Sequence, residues 1–118
     1  MDAIQERARE IGRLLAHTEE YRALKRANER LSDDRETVAL LNRLASLEAE
    51  LTQALRGGQE PSLEQQEQYE SLVEQLQQLS VYQAMVAAQS NFDRLMTRIN
   101  EEIAHGIEAG DQSRIILP

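Results

Sequence analysis

The side chains that could do metal chemistry in this chain are one Glu-x-x-His pair near its end. Glu102 and His105 have the spacing that di-iron helical bundles use on a single helix. Such a site needs several inward-facing carboxylates and usually a second copy of the motif, and this sequence has only one. His105 also falls beside the apolar positions of its helix, where a surface histidine close to a helix C-terminus is the simpler interpretation. We therefore expect no metal site and no cofactor, and a metal-dependent enzyme ranks last among the functions considered.

The sequence also lacks a set of side chains at a spacing suited to catalysis. Adjacent acids occur at residues 19–20, 33–34 and 101–102. The first two pairs are typical of helix starts, and none has a nucleophile or base at a useful spacing. The chain has no cysteine, which excludes a thiol nucleophile, a disulfide framework and cysteine-ligated metals. It also has no glycine-rich phosphate loop. The sequence thus predicts a protein that is not an enzyme.

A basic helix face is the third candidate for chemistry, and it consists of Arg22, Lys25, Arg26 and Arg30. These spacings place the four cations on one side of a helix, where they could contact RNA. The same side is also the polar back of an amphipathic helix, paired with neighbouring glutamates. The chain has a net charge of −8, with five basic and thirteen acidic residues after position 35, and offers no aromatic platform for bases. Direct nucleic-acid binding is not expected, and an RNA-binding helper is kept as the alternative function.

The candidate residues above lie on predicted helices, and the spacing of apolar residues shows where those helices run. The longest stripe runs from Val81 to Ile107 with a mean spacing near 3.7 residues, which predicts one fairly straight final helix. It begins at Ser80, either as a new helix or after a kink, and we expect it to end near Ala109 before Gly110. Shorter stripes predict four more helices, over about residues 2–15, 19–31, 34–56 and 62–79. The predicted fold is all-α, an antiparallel bundle of about five helices, with a single domain over residues 1–110 and a tail over 111–118.

The final stripe is too long for two short N-terminal helices to cover. Exposed apolar patches on soluble monomers are usually limited to a few hundred Å^2. We therefore expect a homo-oligomer, most simply a dimer, that completes the bundle. The predicted interface consists of Val81, Met85, Ala88, Phe92, Leu95, Met96, Ile99 and Ile103.

The composition also predicts the cellular location of the protein. No apolar run approaches the length of a membrane span, and the first residues are charged, unlike a signal peptide. The absence of cysteine is compatible with a reducing compartment. We expect a cytoplasmic protein without a membrane partner.

One stretch carries a family resemblance. The sequence TEEYRALKRANERLSDD, from Thr18 to Asp34, follows a short helix and precedes a leucine-rich long helix and a Gly-Gly…Pro loop. The last helix then carries Phe92, Leu95 and Ile99. Over about residues 3–107 this pattern resembles the YlbF/YmcA family of small bacterial helical proteins.

The resemblance implies a non-enzymatic regulator that forms homo-oligomers through its long helices. Members of the family act in competence, sporulation and biofilm formation, as part of a complex that modulates the endoribonuclease RNase Y. The implied partners are the chain itself and other regulatory proteins, including a ribonuclease complex. Some members bind iron–sulfur clusters through C-terminal cysteines. This chain ends in RIILP without a cysteine, so cluster binding does not carry over.

Overall fold

The structure is a computed structural model that describes the backbone of residues 2–116 and the side chains of residues 2–112. Within this range the chain forms five α-helices and no strand, which confirms the predicted all-α fold. The helices are α1 (Asp2–Leu15), α2 (Glu19–Asp33), α3 (Arg35–Arg56), α4 (Leu63–Gln78) and α5 (Ser80–Ile116).

Two predicted helix starts are built by local side-chain hydrogen bonds. Thr18 Oγ1 accepts a bond from the Tyr21 N–H at 3.2 Å and donates to the Leu15 carbonyl at 2.7 Å, so one hydroxyl both ends α1 and begins α2. At α4 the Gln65 N–H donates to Ser62 Oγ at 3.1 Å, and the Ser62 N–H donates to Gln65 Oε1 at 3.0 Å. This reciprocal pair is a capping box and satisfies two amide groups that the helix itself cannot.

The chain breaks between α4 and α5, so α5 is a new helix and not a continuation of α4 after a kink. Leu79 adopts an extended conformation, with φ −79° and ψ 124°, between the two helices. The Gln83 side chain donates to the Gln77 carbonyl at 2.6 Å. That bond satisfies an acceptor at the end of α4, where helix carbonyls lack a partner within the helix.

The predicted end of the last helix is wrong. Helix α5 continues through Gly110 to Ile116. A glycine inside a helix costs only about 1 kcal/mol relative to alanine, and no proline follows before Pro118 to enforce a stop. A separate role for the predicted tail, residues 111–118, stays a prediction, and its last two residues lie outside the described range.

Contacts divide the chain into two compact units. The first unit comprises Met1–Leu24 with Ala88–Pro118, and the second comprises Lys25–Ala87. Helices α2 and α5 each contribute residues to both units. The prediction of one domain over residues 1–110 remains untested.

Within the first unit, α2 contacts α5 through aromatic rings. The Tyr21 and Phe92 ring centroids lie 5.9 Å apart, with an angle of 60° between the ring planes. This tilted arrangement is favourable for aromatic pairs because the ring edge of one faces the π-surface of the other. It fixes the start of α2 against the middle of α5.

Within the second unit, α3 packs on α4. Its core contains the buried leucines Leu40, Leu47 and Leu76. Thr37 is fully buried as well, and its hydroxyl donates to the Asp34 carboxylate at the start of α3. Because that hydroxyl has a partner, the core contains a polar group without the cost of an unsatisfied donor.

The loop after α3 provides a matched pair of glycines for a stability test. Gly58 has φ +78°, a conformation that side chains rarely adopt, whereas the preceding Gly57 has φ −81°. We expect Gly58→Ala to lower the free energy of unfolding by about 1 kcal/mol, because Cβ then strains the left-handed backbone. Gly57→Ala serves as the control and should be close to neutral, since its Cβ would meet only ordinary contacts. Chemical denaturation of both variants measures the difference, and equal losses would contradict the explanation.

Candidate protein-interaction surface

Large apolar side chains remain in solvent on α1 and α5 of the first unit. Ile4 is 68% exposed, Ile103 is 50% exposed and Ile107 is 68% exposed. Ile11 and Ile99 are half-buried beside them. We call these five residues the apolar face. A single exposed isoleucine is ordinary, but several along adjoining helices are typical of an interaction site.

Helix α1 meets α5 at an open groove within the first unit. Ile11 lines this groove with Ile99 and Ile103. Tyr21, at the start of α2, lies against Phe92 on the same helix α5. Ile4 on α1 and Ile107 on α5 are more exposed than the residues of the groove.

The predicted interface residues on α5 differ widely in exposure. Ala88 is buried and Ile103 is half exposed, while the other six are half-buried. Phe92 is covered by Tyr21, and Leu95 lines a groove with Ala23 and the first acids of α2. The chain itself therefore shields the middle of the stripe, and the open part lies toward the C-terminal end. The eight-residue dimer interface stays a prediction.

Charged residues surround the open end of α5. Residues 100–112 are all exposed and include Glu101, Glu102, Glu108 and Asp111, with no lysine or arginine among them. We call this segment the acidic end of α5. Its charges make the border of the apolar face negative at the C-terminal end of α5, while Arg98 lines the groove beside Ile99 and Ile103.

The Glu-x-x-His pair lies within this segment. His105 Nδ1 is 3.7 Å from Glu102 Oε1, and both side chains are more than two-thirds exposed. Among the described residues, no further histidine, cysteine or acidic side chain joins Glu102 and His105 in a group that could hold a metal ion. The arrangement is a solvent-exposed pair one helical turn apart, which contributes little to stability.

All four residues of the predicted basic face of α2 are exposed. Arg22, in the first unit, lies 3.7 Å from Glu19. Lys25, Arg26 and Arg30, in the second unit, form no ion pair within the part of the chain that the structure describes. We call these three residues the basic trio. The pairing with neighbouring glutamates that the sequence suggested is therefore seen only for Arg22.

A polar groove also lies between α3 and α4 of the second unit. Its floor is Leu47 and Leu72, and its rim includes Asn42, Ser46, Gln68, Ser71 and Gln75. Gln75 Nε2 donates to Ser71 Oγ at 3.1 Å, so part of the rim is already satisfied within α4. Arg43 and Glu50 line the same groove, so it carries one charge of each sign.

The α1 half of the apolar face was not predicted as a site. Ile4 and Ile11 belong to a helical stripe that the sequence does show, with steps of four and three residues. That spacing identifies which side of α1 is apolar but not which helix it meets. The groove that Ile11 forms with α5 depends on the turn at Thr18, and its partner helix lies about ninety residues away in sequence.

Together, the all-helical fold and the exposed apolar face define a helical protein whose surface suits contacts with other proteins. The sequence profile described as "Control of competence regulator ComK, YlbF/YmcA" matches residues 4–108, and this chain belongs to that family. The family suggested by the stretch from Thr18 to Asp34 is thereby confirmed.

The chain is also similar to UPF0342 proteins, and it shares its fold with a solved structure. A UPF0342 protein of Leuconostoc citreum is 24% identical over 98 residues, covering 83% of each chain. A UPF0342 protein of Lactobacillus delbrueckii subsp. bulgaricus is 28% identical over 100 residues, covering 85% of this chain and 86% of the relative. The crystal structure of Bacillus subtilis RicA in complex with RicF shares the fold, with a TM-score of 0.79 and 14% sequence identity. That match covers 92% of this chain and 96% of the solved one.

No helix within residues 2–116 combines the length and the apolar character that crossing a bilayer requires.

Proposed function

We propose that this chain is a non-enzymatic regulatory adaptor that works in the cytoplasm by binding other proteins through its apolar face. The observation that carries the proposal is the exposure of Ile4, Ile103 and Ile107 on α1 and α5. Burying a fully exposed isoleucine side chain is worth about 1.5 to 3 kcal/mol, so covering three that are half to two-thirds exposed gains part of that free energy at each. Membership of a regulator family supports the same function.

The partners of this adaptor are other regulatory proteins. The solved protein that shares its fold was crystallised in complex with RicF, which supports a similar assembly here. We further propose that the assembly acts on an endoribonuclease of the RNase Y kind, as the resemblance to the family implies. In this proposal the adaptor contributes a docking surface and the ribonuclease contributes all of the chemistry.

Affinity capture from the native organism tests this function. We expect the unmodified protein to retain subunits of the ribonuclease complex, and the Ile103→Asp/Ile107→Asp variant to lose at least about tenfold of that signal. Aspartate at these positions would carry a charge into the interface, where it has no partner. Quantitative mass spectrometry of the captured proteins measures the effect.

A control variant separates the apolar face from the added charge. Ala109→Asp/Gln112→Asp adds the same two charges at exposed positions on the same helix. At about 100° of rotation per residue, both lie well away from the isoleucines. This control should capture as much as the unmodified protein. The proposal would be overturned if the Ile103→Asp/Ile107→Asp variant captured as much as the unmodified protein. It would also be overturned if no sample contained a ribonuclease subunit.

The basic trio favours one other function, an RNA-binding helper. Lys25, Arg26 and Arg30 are exposed and unpaired among the described residues, so they are available to phosphates. This function would replace the first if the protein bound single-stranded RNA with steep salt dependence. Charge reversal at Arg22 and at the basic trio would then have to abolish the binding.

A further inference from the structure

We propose that the groove between α3 and α4 binds an extended segment of another protein that carries an acidic and a basic residue three positions apart. The groove lies within the second unit and shares no residue with the apolar face. The inference therefore goes beyond the proposed function, because it adds a second binding site for a different kind of ligand.

The groove has a short apolar floor and long polar edges. Leu47 and Leu72 form the floor, and Leu47 is only 4% exposed. The space above them is about 550 Å³, which is in the range of ligand-binding clefts. The side chains at the edges are all exposed, and they are Asn42, Arg43, Ser46, Glu50, Gln68, Ser71 and Gln75. A ligand in this groove therefore meets little apolar area and many hydrogen-bonding groups.

The neutral side chains at the edges favour an extended backbone. Asparagine, glutamine and serine each both donate and accept hydrogen bonds. Within the part of the chain that the structure describes, the bond from Gln75 to Ser71 is the one hydrogen bond between edge side chains. The other edge groups are available to a ligand. An extended segment presents an N–H and a C=O at nearly every residue without internal hydrogen bonds, so its backbone pairs with these edges.

A partner helix does not suit the same groove. A helix satisfies its own backbone groups and binds a groove through an apolar stripe. Over this groove, such a stripe would cover the edge amides as well as Leu47 and Leu72. Burying a polar group without a hydrogen-bond partner costs free energy, so the edges disfavour a helix.

Opposite charges lie at the two ends of the groove. Only residues 57–62 connect α3 to α4, so the two helices run antiparallel. Arg43 therefore lies at the same end as Gln75, and Glu50 lies at the same end as Gln68. Among the described residues, neither Arg43 nor Glu50 forms an ion pair. The two charged residues are two helical turns apart, which is about 10.5 Å along α3.

This distance determines the spacing of charges in the ligand. A polyproline II segment rises about 3.1 Å per residue and returns to the same side every third residue, so residues three positions apart are about 9 Å apart. An acidic residue then faces Arg43 while a basic residue faces Glu50, and their long side chains cover the small remaining difference. A residue between these two points toward the floor, where an apolar side chain packs on Leu47 and Leu72.

Three synthetic peptides test this site by fluorescence polarisation. The mixed peptide is PDLPRP, the diacidic peptide is PDLPDP and the dibasic peptide is PRLPRP. Measurements at about 0.15 M salt screen charges more than about 8 Å away, so the net charge of the protein has little influence. We expect the unmodified protein to bind the mixed peptide at least about threefold more tightly than either other peptide, because each of those meets one like charge.

Charge variants should change this preference in a defined way. Arg43→Glu makes both ends acidic, so the variant should prefer the dibasic peptide by at least about threefold. Glu50→Arg makes both ends basic, so the variant should prefer the diacidic peptide. Arg56→Glu and Glu48→Arg make the same changes at exposed positions of α3 outside the groove, and these controls should keep the preference for the mixed peptide. Circular dichroism verifies that each variant is folded.

A second comparison tests the backbone of the ligand. Asn42→Ala/Gln68→Ala removes two edge amides and preserves helix propensity, so it should weaken binding of the mixed peptide at least about threefold. A helical peptide with aspartate and arginine seven positions apart presents the same charges about 10.5 Å apart. It should bind more weakly than the mixed peptide. Tighter binding of the helical peptide would overturn the extended ligand.

The remaining outcomes separate this site from the proposed function. The site would be overturned if the unmodified protein bound none of the peptides at about 1 mM, or bound all three equally. Unchanged preferences in the Arg43→Glu and Glu50→Arg variants would also overturn it. The Ile103→Asp/Ile107→Asp variant should bind the mixed peptide as the unmodified protein does. Failure of the groove therefore leaves capture by the apolar face standing, and failure of that capture leaves the groove standing.

Discussion

The Leu76→Ala variant will lose about 2 to 5 kcal/mol of its free energy of unfolding. Leu76 is only 1% exposed and belongs to the core where α3 packs on α4. Truncation removes the transfer free energy of the side chain and leaves a cavity that two rigid helices cannot close. Urea denaturation followed by circular dichroism measures this loss as a lower midpoint.

The Leu55→Ala variant is the control for this effect. Leu55 is 61% exposed on α3, so the same truncation removes little buried area. Its free energy of unfolding should change by no more than about 0.5 kcal/mol. If both variants shifted the midpoint equally, Leu76 would not be the core residue that its burial indicates.

The second large effect is expected from Leu95→Asp. Leu95 is half-buried and lines a groove with Glu19, Glu20 and Ala23 at the start of α2. An aspartate there would be partly desolvated and would face two carboxylates, although Arg94 and Arg98 line the same groove. We expect a loss of about 2 to 4 kcal/mol in the free energy of unfolding.

Leu95→Asn isolates the contribution of charge, because asparagine has the same size as aspartate. The difference between the two variants should shrink when acid protonates the introduced carboxylate. Thermal unfolding at neutral and acidic pH measures it. An aspartate variant as stable as the asparagine variant at neutral pH would show that the groove is open enough to solvate the charge.

Local rules predicted most of the helices correctly. Thr18 and Ser62 are short hydroxyl residues whose side chains accept a bond from the backbone N–H three positions later, and both form the expected helix starts. These signals work because the bonds join residues close in sequence. Gly110 shows where such rules fail, because a glycine permits a helix end without requiring one.

The candidate site was only partly predictable, because it depends on pairing between distant segments. The spacing of Phe92, Leu95 and Ile99 indicates an apolar side of α5 but cannot show that Tyr21 and Ala23 already cover part of it. Likewise, the spacing of apolar residues on α1 does not indicate which helix α1 contacts. The exposed end at Ile103 and Ile107 becomes visible only after those pairings are known.

The unsupported end of α5 has a consequence for the lifetime of the protein. Residues 100–112 are helical, yet all their side chains are exposed, so tertiary packing contributes little to holding the backbone there. Local opening of this segment therefore costs much less free energy than unfolding the core, and proteases cleave opened segments. A partner that covers Ile103 and Ile107 suppresses the opening. We therefore expect copies bound in an assembly to outlast unbound copies, so that the abundance of the protein follows that of its partner.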